Sequence, residues 1–150
     1  MKIMLDECVT QGPARILVDF FSITHPPVSA VFLPEYMRGT GIKDEQWAEQ
    51  IASDGDWRVI TADWDKCKTG AKRAIDGPPL HKILPTLKIT ALFWSSSIQR
   101  ATGDVKVSAI TAVWPKLRRL FQHEPAGTII KLHQGSKGGF ELRKRDGSRY

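Results

Sequence analysis

Lys2-Ile3-Met4-Leu5-Asp6-Glu7 opens the chain with consecutive apolar residues that stop abruptly on two acids. An unbroken apolar run of this length suits a strand covered on both faces, as in a parallel sheet, and it places the acids at the strand's carboxyl end. Working outward, Gly12-Pro13 begins a stretch in which Ala14, Leu17, Val18 and Phe21 recur at helical spacing, with Pro13 suited to the first helical position. His25-Pro26-Pro27 breaks that helix, Val28 to Leu33 reads as a second strand, and Pro34 with Gly39 and Gly41 marks a loop. From Asp44, residues Trp47, Ala48, Ile51 and Ala52 share one face of a second helix that ends near Gly55, and Arg58 to Thr61 follows as a third strand. The order is βαβαβ. It predicts an α/β fold with a mostly parallel sheet, right-handed crossovers and helices on both faces.

Beyond this frame, Lys68 to Ile75 reads as a short helix, Asp76-Gly77-Pro78-Pro79 as a turn, and Lys88 to Trp94 as a fourth strand. Ile110, Val113, Trp114, Leu117, Leu120 and Phe121 form the apolar stripe of a long helix, which Pro115 is expected either to kink or to divide in two. Thr128 to Leu132 and Phe140 to Arg143, joined through Gly135 to Gly139, predict a C-terminal β-hairpin rather than another βα unit.

At 150 residues, 41% hydrophobic and 25% charged, the chain suits one domain spanning 1–150. No apolar run approaches the ~18 residues of a membrane span. Asp6 and Glu7 interrupt the place where a signal peptide needs its apolar stretch, so a cytoplasmic protein is expected, with no membrane partner. Two cysteines, Cys8 and Cys67, build neither a secreted disulfide framework nor a zinc spacing with His25, His81, His123 or His133, and reduced thiols are expected. The formal charge of +6 favours a polyanion as partner, because cations that neutralise phosphates release condensed counterions. Lys66, Lys68, Lys72 and Arg73 follow closely on Asp63 and Asp65, and Arg143, Lys144, Arg145 and Arg149 crowd the C-terminus. Each cluster reads either as a polyanion track or as a solvated face.

Asp6 ends the first strand and Asp63 stands two residues past Thr61, so both belong at the carboxyl edge, where open α/β sheets bind ligands. Asp44, at the start of the second helix, is placed at or near the same edge. A cluster of carboxylates raises its own pKa values unless a cation neutralises it, and oxygen-only ligands select Mg²⁺ or Mn²⁺ over zinc. Such an ion can orient a phosphodiester, withdraw charge from its oxygens and acidify a bound water. The plain alternatives are that Asp44 is an N-cap, that Asp65 is an exposed loop acid or a ligand through water, and that Glu7 or Glu45 substitutes for its neighbour. Asp54 and Asp56 read as turn residues around Gly55.

Leu5-Asp6-Glu7, Asp44-Glu45 and Val59-Ile60-Thr61-Ala62-Asp63-Trp64-Asp65 together resemble the PIN-like families related to VapC-type toxin ribonucleases. The resemblance covers most of the first 65 residues. It implies a PIN-like three-layer fold, Mg²⁺ or Mn²⁺ held by Asp6, Asp44, Asp63 and Asp65, and endonucleolytic cleavage of RNA. It also implies a cognate antitoxin protein and a homodimer. On this reading the RNA backbone runs along Lys66, Lys68, Lys72 and Arg73. Trp64, which departs from the family's pattern by splitting the last acid pair, is expected to pack under its loop or to stack on a base. Cys8 and Cys67 would be neighbours if Asp6 and Asp63 are, either as an oxidisable pair or as two ordinary buried thiols.

Two other readings use the same residues. One is a PIN-like module without catalysis that binds RNA or protein through its basic surface. The other is a phosphoacceptor receiver domain, with Asp6-Glu7 on Mg²⁺, Asp63 phosphorylated and Ser95 beside it. Against the receiver stand Trp64-Asp65-Lys66 in place of a Met-Pro turn, the lack of a clear late Lys-Pro, and the hairpin ending.

Overall fold

A computed structural model of the protein describes residues 1–62, 78–136 and 138–150. The first strand, β1 (Lys2–Leu5), lies between β2 (Ser29–Phe32) and β3 (Trp57–Thr61), and all pairings are parallel. Next to β3 come β4 (Thr90–Trp94) and β5 (Ile129–Gln134), still parallel, and β6 (Phe140–Lys144) closes the sheet antiparallel to β5. The six strands stand in the order β2-β1-β3-β4-β5-β6. The α/β class, the mostly parallel sheet and the terminal hairpin thus agree with the sequence reading.

Alternation along the strands sorts the core into two faces. Ile3, Leu5, Ile60, Leu92, Trp94, Ile130 and Leu132 are buried on one side together with residues of α1 (Gln11–Ile23) and of the long helix that joins β4 to β5. Met4, Val59, Ala91, Phe93 and Ile129 are buried on the other with α3 (Asp44–Ser53), α4 (Leu80–Thr86) and Leu33 of the single turn α2 (Leu33–Tyr36). Two short side layers therefore sandwich the sheet. Following the chain, α5 (Ser96–Gln99) is one turn and α6 (Gly103–His123) is the long helix of the first face.

One crossover departs from expectation. The steps from β2 to β3 and from β4 to β5 move in the same direction across the sheet, yet α3 covers one face and α6 the other. These two connections therefore have opposite hands, whereas parallel crossovers are right-handed in nearly all cases. The packing that accompanies the exception is explicit: α6 lies beside α1, with the Trp114 ring 4.7 Å from Phe21 and 6.4 Å from Phe20, centroid to centroid.

Local differences from the sequence reading have backbone causes. Helix α1 starts at Gln11, two residues before Pro13, and its first intrahelical bond is Ala14 N to Thr10 O (3.0 Å). Pro13 thus sits where its missing N–H costs nothing. Pro34 falls in the first turn of α2 instead of a loop, for the same reason. Strand β4 begins two residues late because Lys88 takes a left-handed conformation (φ 58°) and ends α4, which the sequence reading missed. Pro85 within Leu80–Thr86 masked the apolar spacing of Leu80, Ile83, Leu84 and Leu87. Pro115, by contrast, is exposed on α6 and leaves it undivided. The helix read over Lys68 to Ile75 lies outside the described residues.

Candidate functional site at the carboxyl edge

The chain leaves β1 toward α1 and β2 on one side, and leaves β3 toward β4 on the other, so the strand order reverses between β1 and β3. In doubly wound sheets that reversal opens a crevice outside the carboxyl ends of the two strands. Asp6 stands in it. Its backbone extends the ladder by one bond, Asp6 N to Ile60 O at 3.0 Å, and its side chain is 5% exposed.

A carboxylate this deeply placed needs donors, and the neighbouring strand ends provide them. Thr61 Oγ1 donates to Asp6 Oδ2 at 2.5 Å, Cys8 Sγ donates to the same oxygen at 2.9 Å, and Glu7 N donates to Oδ1 at 2.6 Å. Ala62 N in turn donates to Cys8 Sγ at 2.9 Å, so the turns after β1 and β3 are fastened through one sulfur. Gln99 of α5 completes the frame by donating to Cys8 O at 3.2 Å while accepting from Trp94 Nε1 at 3.0 Å. Ends of β1, β3 and β4 therefore form one rigid edge around the Asp6 carboxylate.

The second predicted acid reaches this edge through its loop. Gly41 N donates to Glu7 Oε2 at 3.2 Å, and α3 starts three residues later, at Asp44. Lys43 rather than Asp44 occupies the N-cap, which corrects the capping alternative; the Asp44 carboxylate accepts from Trp47 Nε1 at 3.3 Å. As an acid in the first turn it still complements the helix dipole. Glu45 is exposed on the same turn. Asp63, Asp65, Lys66, Lys68, Lys72 and Arg73 lie outside the described residues, as do Trp64 and Cys67. Among the described residues, no three His, Cys, Asp or Glu side chains are grouped closely enough to hold a metal ion.

Thr61 and Gln99 had no role in the sequence reading, and Cys8, expected there as a buried thiol or half of an oxidisable pair, is a buried thiol that donates to Asp6. A hydroxyl at the last residue of β3, paired in the sheet one position beyond Ile60 opposite Leu5, was the available signal for Thr61. Asp54 and Asp56 are turn residues as expected, and they stand at the opposite edge: Asp54 accepts from Trp57 Nε1, Tyr36 and Lys2, which hold its carboxyl below the usual range. Of the C-terminal cations, Arg143 and Arg149 both pair with Glu141, at 2.7 and 2.9 Å.

Cys8 is buried, and burial above all, then repulsion by Asp6 and the bond donated to it, push its thiol well above the ordinary 9.0. The thiol is a proton donor to Asp6, not a nucleophile. An acid whose proton is retained in the fold contributes stability that is complete below the ordinary thiol value and is lost as pH rises toward the folded one. Wild type is therefore expected to lose stability relative to Cys8→Ala between about pH 7.5 and about pH 10, as the unfolded thiol ionises. Denaturant midpoints across that range check this; parallel profiles for the two proteins would show that Cys8 keeps no proton against Asp6.

No family model, curated protein or solved structure matches the chain. No helix of the described residues is long and apolar enough to cross a membrane.

Proposed function

We propose that this protein is a PIN-like, metal-dependent endoribonuclease, in the manner of the toxin of a toxin–antitoxin pair. The observation that carries the reading is the placement of Asp6: a nearly buried carboxylate, oriented by Thr61 and Cys8, at the point where the strand order reverses. The carboxylates proposed as ligands suit a hard divalent cation, because they offer oxygen donors alone. Asp6, Asp44, Asp63 and Asp65 would hold Mg²⁺ or Mn²⁺, which when bound supplies charge withdrawal from the phosphodiester and an acidified water. The chain's own part is to fix the first carboxylate through Thr61 and Cys8, bring the start of α3 to the edge through Glu7 and Gly41, and lay RNA along Lys66, Lys68, Lys72 and Arg73. An antitoxin protein covering this edge and a homodimer complete the proposal, and both rest on the resemblance of the sequence motifs.

Incubation of a mixed structured RNA with the purified protein tests the reading. Cutting is expected in Mg²⁺ or Mn²⁺ and not in EDTA; no cutting in either ion, or equal cutting in EDTA, overturns it.

The reading without catalysis has an observation in its favour too: the Asp6 oxygens are already engaged by Thr61, Cys8 and the Glu7 backbone, an arrangement that also serves a purely structural carboxylate. RNA or protein binding that survives loss of the acids is its signature. The receiver reading shares the order of the five parallel strands with the doubly wound folds and has Ser95 just past β4, but the crossover of reversed hand and the antiparallel β6 set this sheet apart.

A further inference from the structure

We propose that Lys106 binds a phosphate oxygen of the polyanion at the carboxyl edge, a role that rests on reading this edge as a phosphodiester site. Lys106 is 7% exposed, an unusual state for a lysine. It lies on the apolar stripe of α6, one turn before Ala109 and Ile110 and two before Val113, so its stem is enclosed by the core of that face. Arg143 Nε is the one fully enclosed side-chain nitrogen or oxygen that lacks a hydrogen bond among the described residues. The Lys106 ammonium has no hydrogen bond or ion pair among them either, so it is the part of the side chain that reaches solvent.

Its direction follows from the helix. Side chains on a helix lean toward the N-terminus, and α6 begins at the carboxyl edge, nine residues past the end of β4. That start is docked where the candidate site is built: a Cβ placed on Gly103 would lie 3.2 Å from Pro13 of α1, and α5, just before it, is bonded to Cys8 through Gln99. The nearest acid in the chain, Asp104, is exposed and committed to the helix start, where Thr102 and the Val105 backbone hold its carboxyl below the usual range. An ammonium whose stem is immobilised by packing, and whose head reaches solvent near the start of α6, meets an anion with little further loss of side-chain freedom.

Two measurements on the full chain, both in EDTA so that no cutting occurs, test the assignment. The first follows the melting temperature during a titration with inorganic pyrophosphate; the second follows the affinity for a single-stranded oligoribonucleotide across salt concentrations. Pyrophosphate is expected to stabilise wild type and Lys106→Arg but not Lys106→Met. Oligonucleotide affinity is expected to fall about tenfold in Lys106→Met, and its salt slope by about 0.7, the share of one phosphate contact on a single strand. Lys106→Gln repeats the comparison with a polar stem end, which separates loss of charge from any packing defect of the Met variant. Equal responses of all variants, or a wild type indifferent to both ligands, overturn the assignment. A pyrophosphate response confined to proteins that keep the charge, with no RNA binding by any of them, leaves the anion site standing and removes the RNA reading. RNA binding with identical slopes does the reverse.

Discussion

Asp6→Asn is expected to lower metal-dependent RNA cleavage at least about 100-fold while leaving a folded protein, since even residues that merely orient a metal ligand are worth roughly 10–100-fold. The substitution keeps the shape of the side chain but removes its charge and turns one acceptor into a donor. Thr61 Oγ1 and Cys8 Sγ both point at Oδ2, and Glu7 N at Oδ1, so with the amide oxygen facing Glu7 N the amide nitrogen faces a hydroxyl and a thiol that must turn from donating to accepting, and the sulfur is a weak acceptor. That mismatch is expected to reduce stability by about 1–3 kcal/mol. Cleavage assays run beside denaturant unfolding separate the two effects. Asp63→Asn is expected to give the same loss of cutting. An unchanged rate in a folded Asp6→Asn protein would make the carboxylate structural and put the binding module first.

The largest effect on the fold is expected from Phe21→Ala, at about 3–5 kcal/mol, the range for emptying a buried aromatic position. Phe21 is fully buried, and its ring is tilted 58° against Trp114 at 4.7 Å. Aromatic pairs in such geometry add about 0.5–1.5 kcal/mol to their burial. The pair joins α1 to α6, and the neighbouring Phe20 ring meets the same indole edge-on, so little nearby can collapse into the void without unseating both helices. Urea or guanidinium midpoints at unchanged slope measure it. A loss under about 1 kcal/mol would mean that the contact between these helices holds little of the face together.

How far the sequence went is best seen strand by strand. Ile3-Met4-Leu5 and Val59-Ile60 are apolar at every position, and a run that feeds two faces at once has few destinations other than the middle of a parallel sheet. The carboxyl-edge position of Asp6 was legible for the same reason, because a strand's end is fixed once its register is. What was not legible depends on long-range neighbours. No spacing announces that Thr61, 55 residues away, donates to Asp6, or that Gln99 reaches Cys8 across 91. The hand of the crossover through α6 was likewise out of reach, since an apolar stripe states that a helix is covered and not by which face of the sheet. Lys106 was hidden by its type: a lone lysine within that stripe passes for a solvent-facing residue until the packing is seen.

The pairing of α1 with α6 also bears on how the chain is made. Trp114 is synthesised 93 residues after Phe21, and at ~5–20 residues per second the ribosome takes roughly 5–20 seconds to cover that distance. Before it ends, β1, β2 and β3 can emerge and pair, and α3 can cover their other face. The inward side of α1 has no helix to lie against. The nascent chain therefore passes through a stage with one finished surface and one oily one, the kind of half-built sheet that holding chaperones recognise.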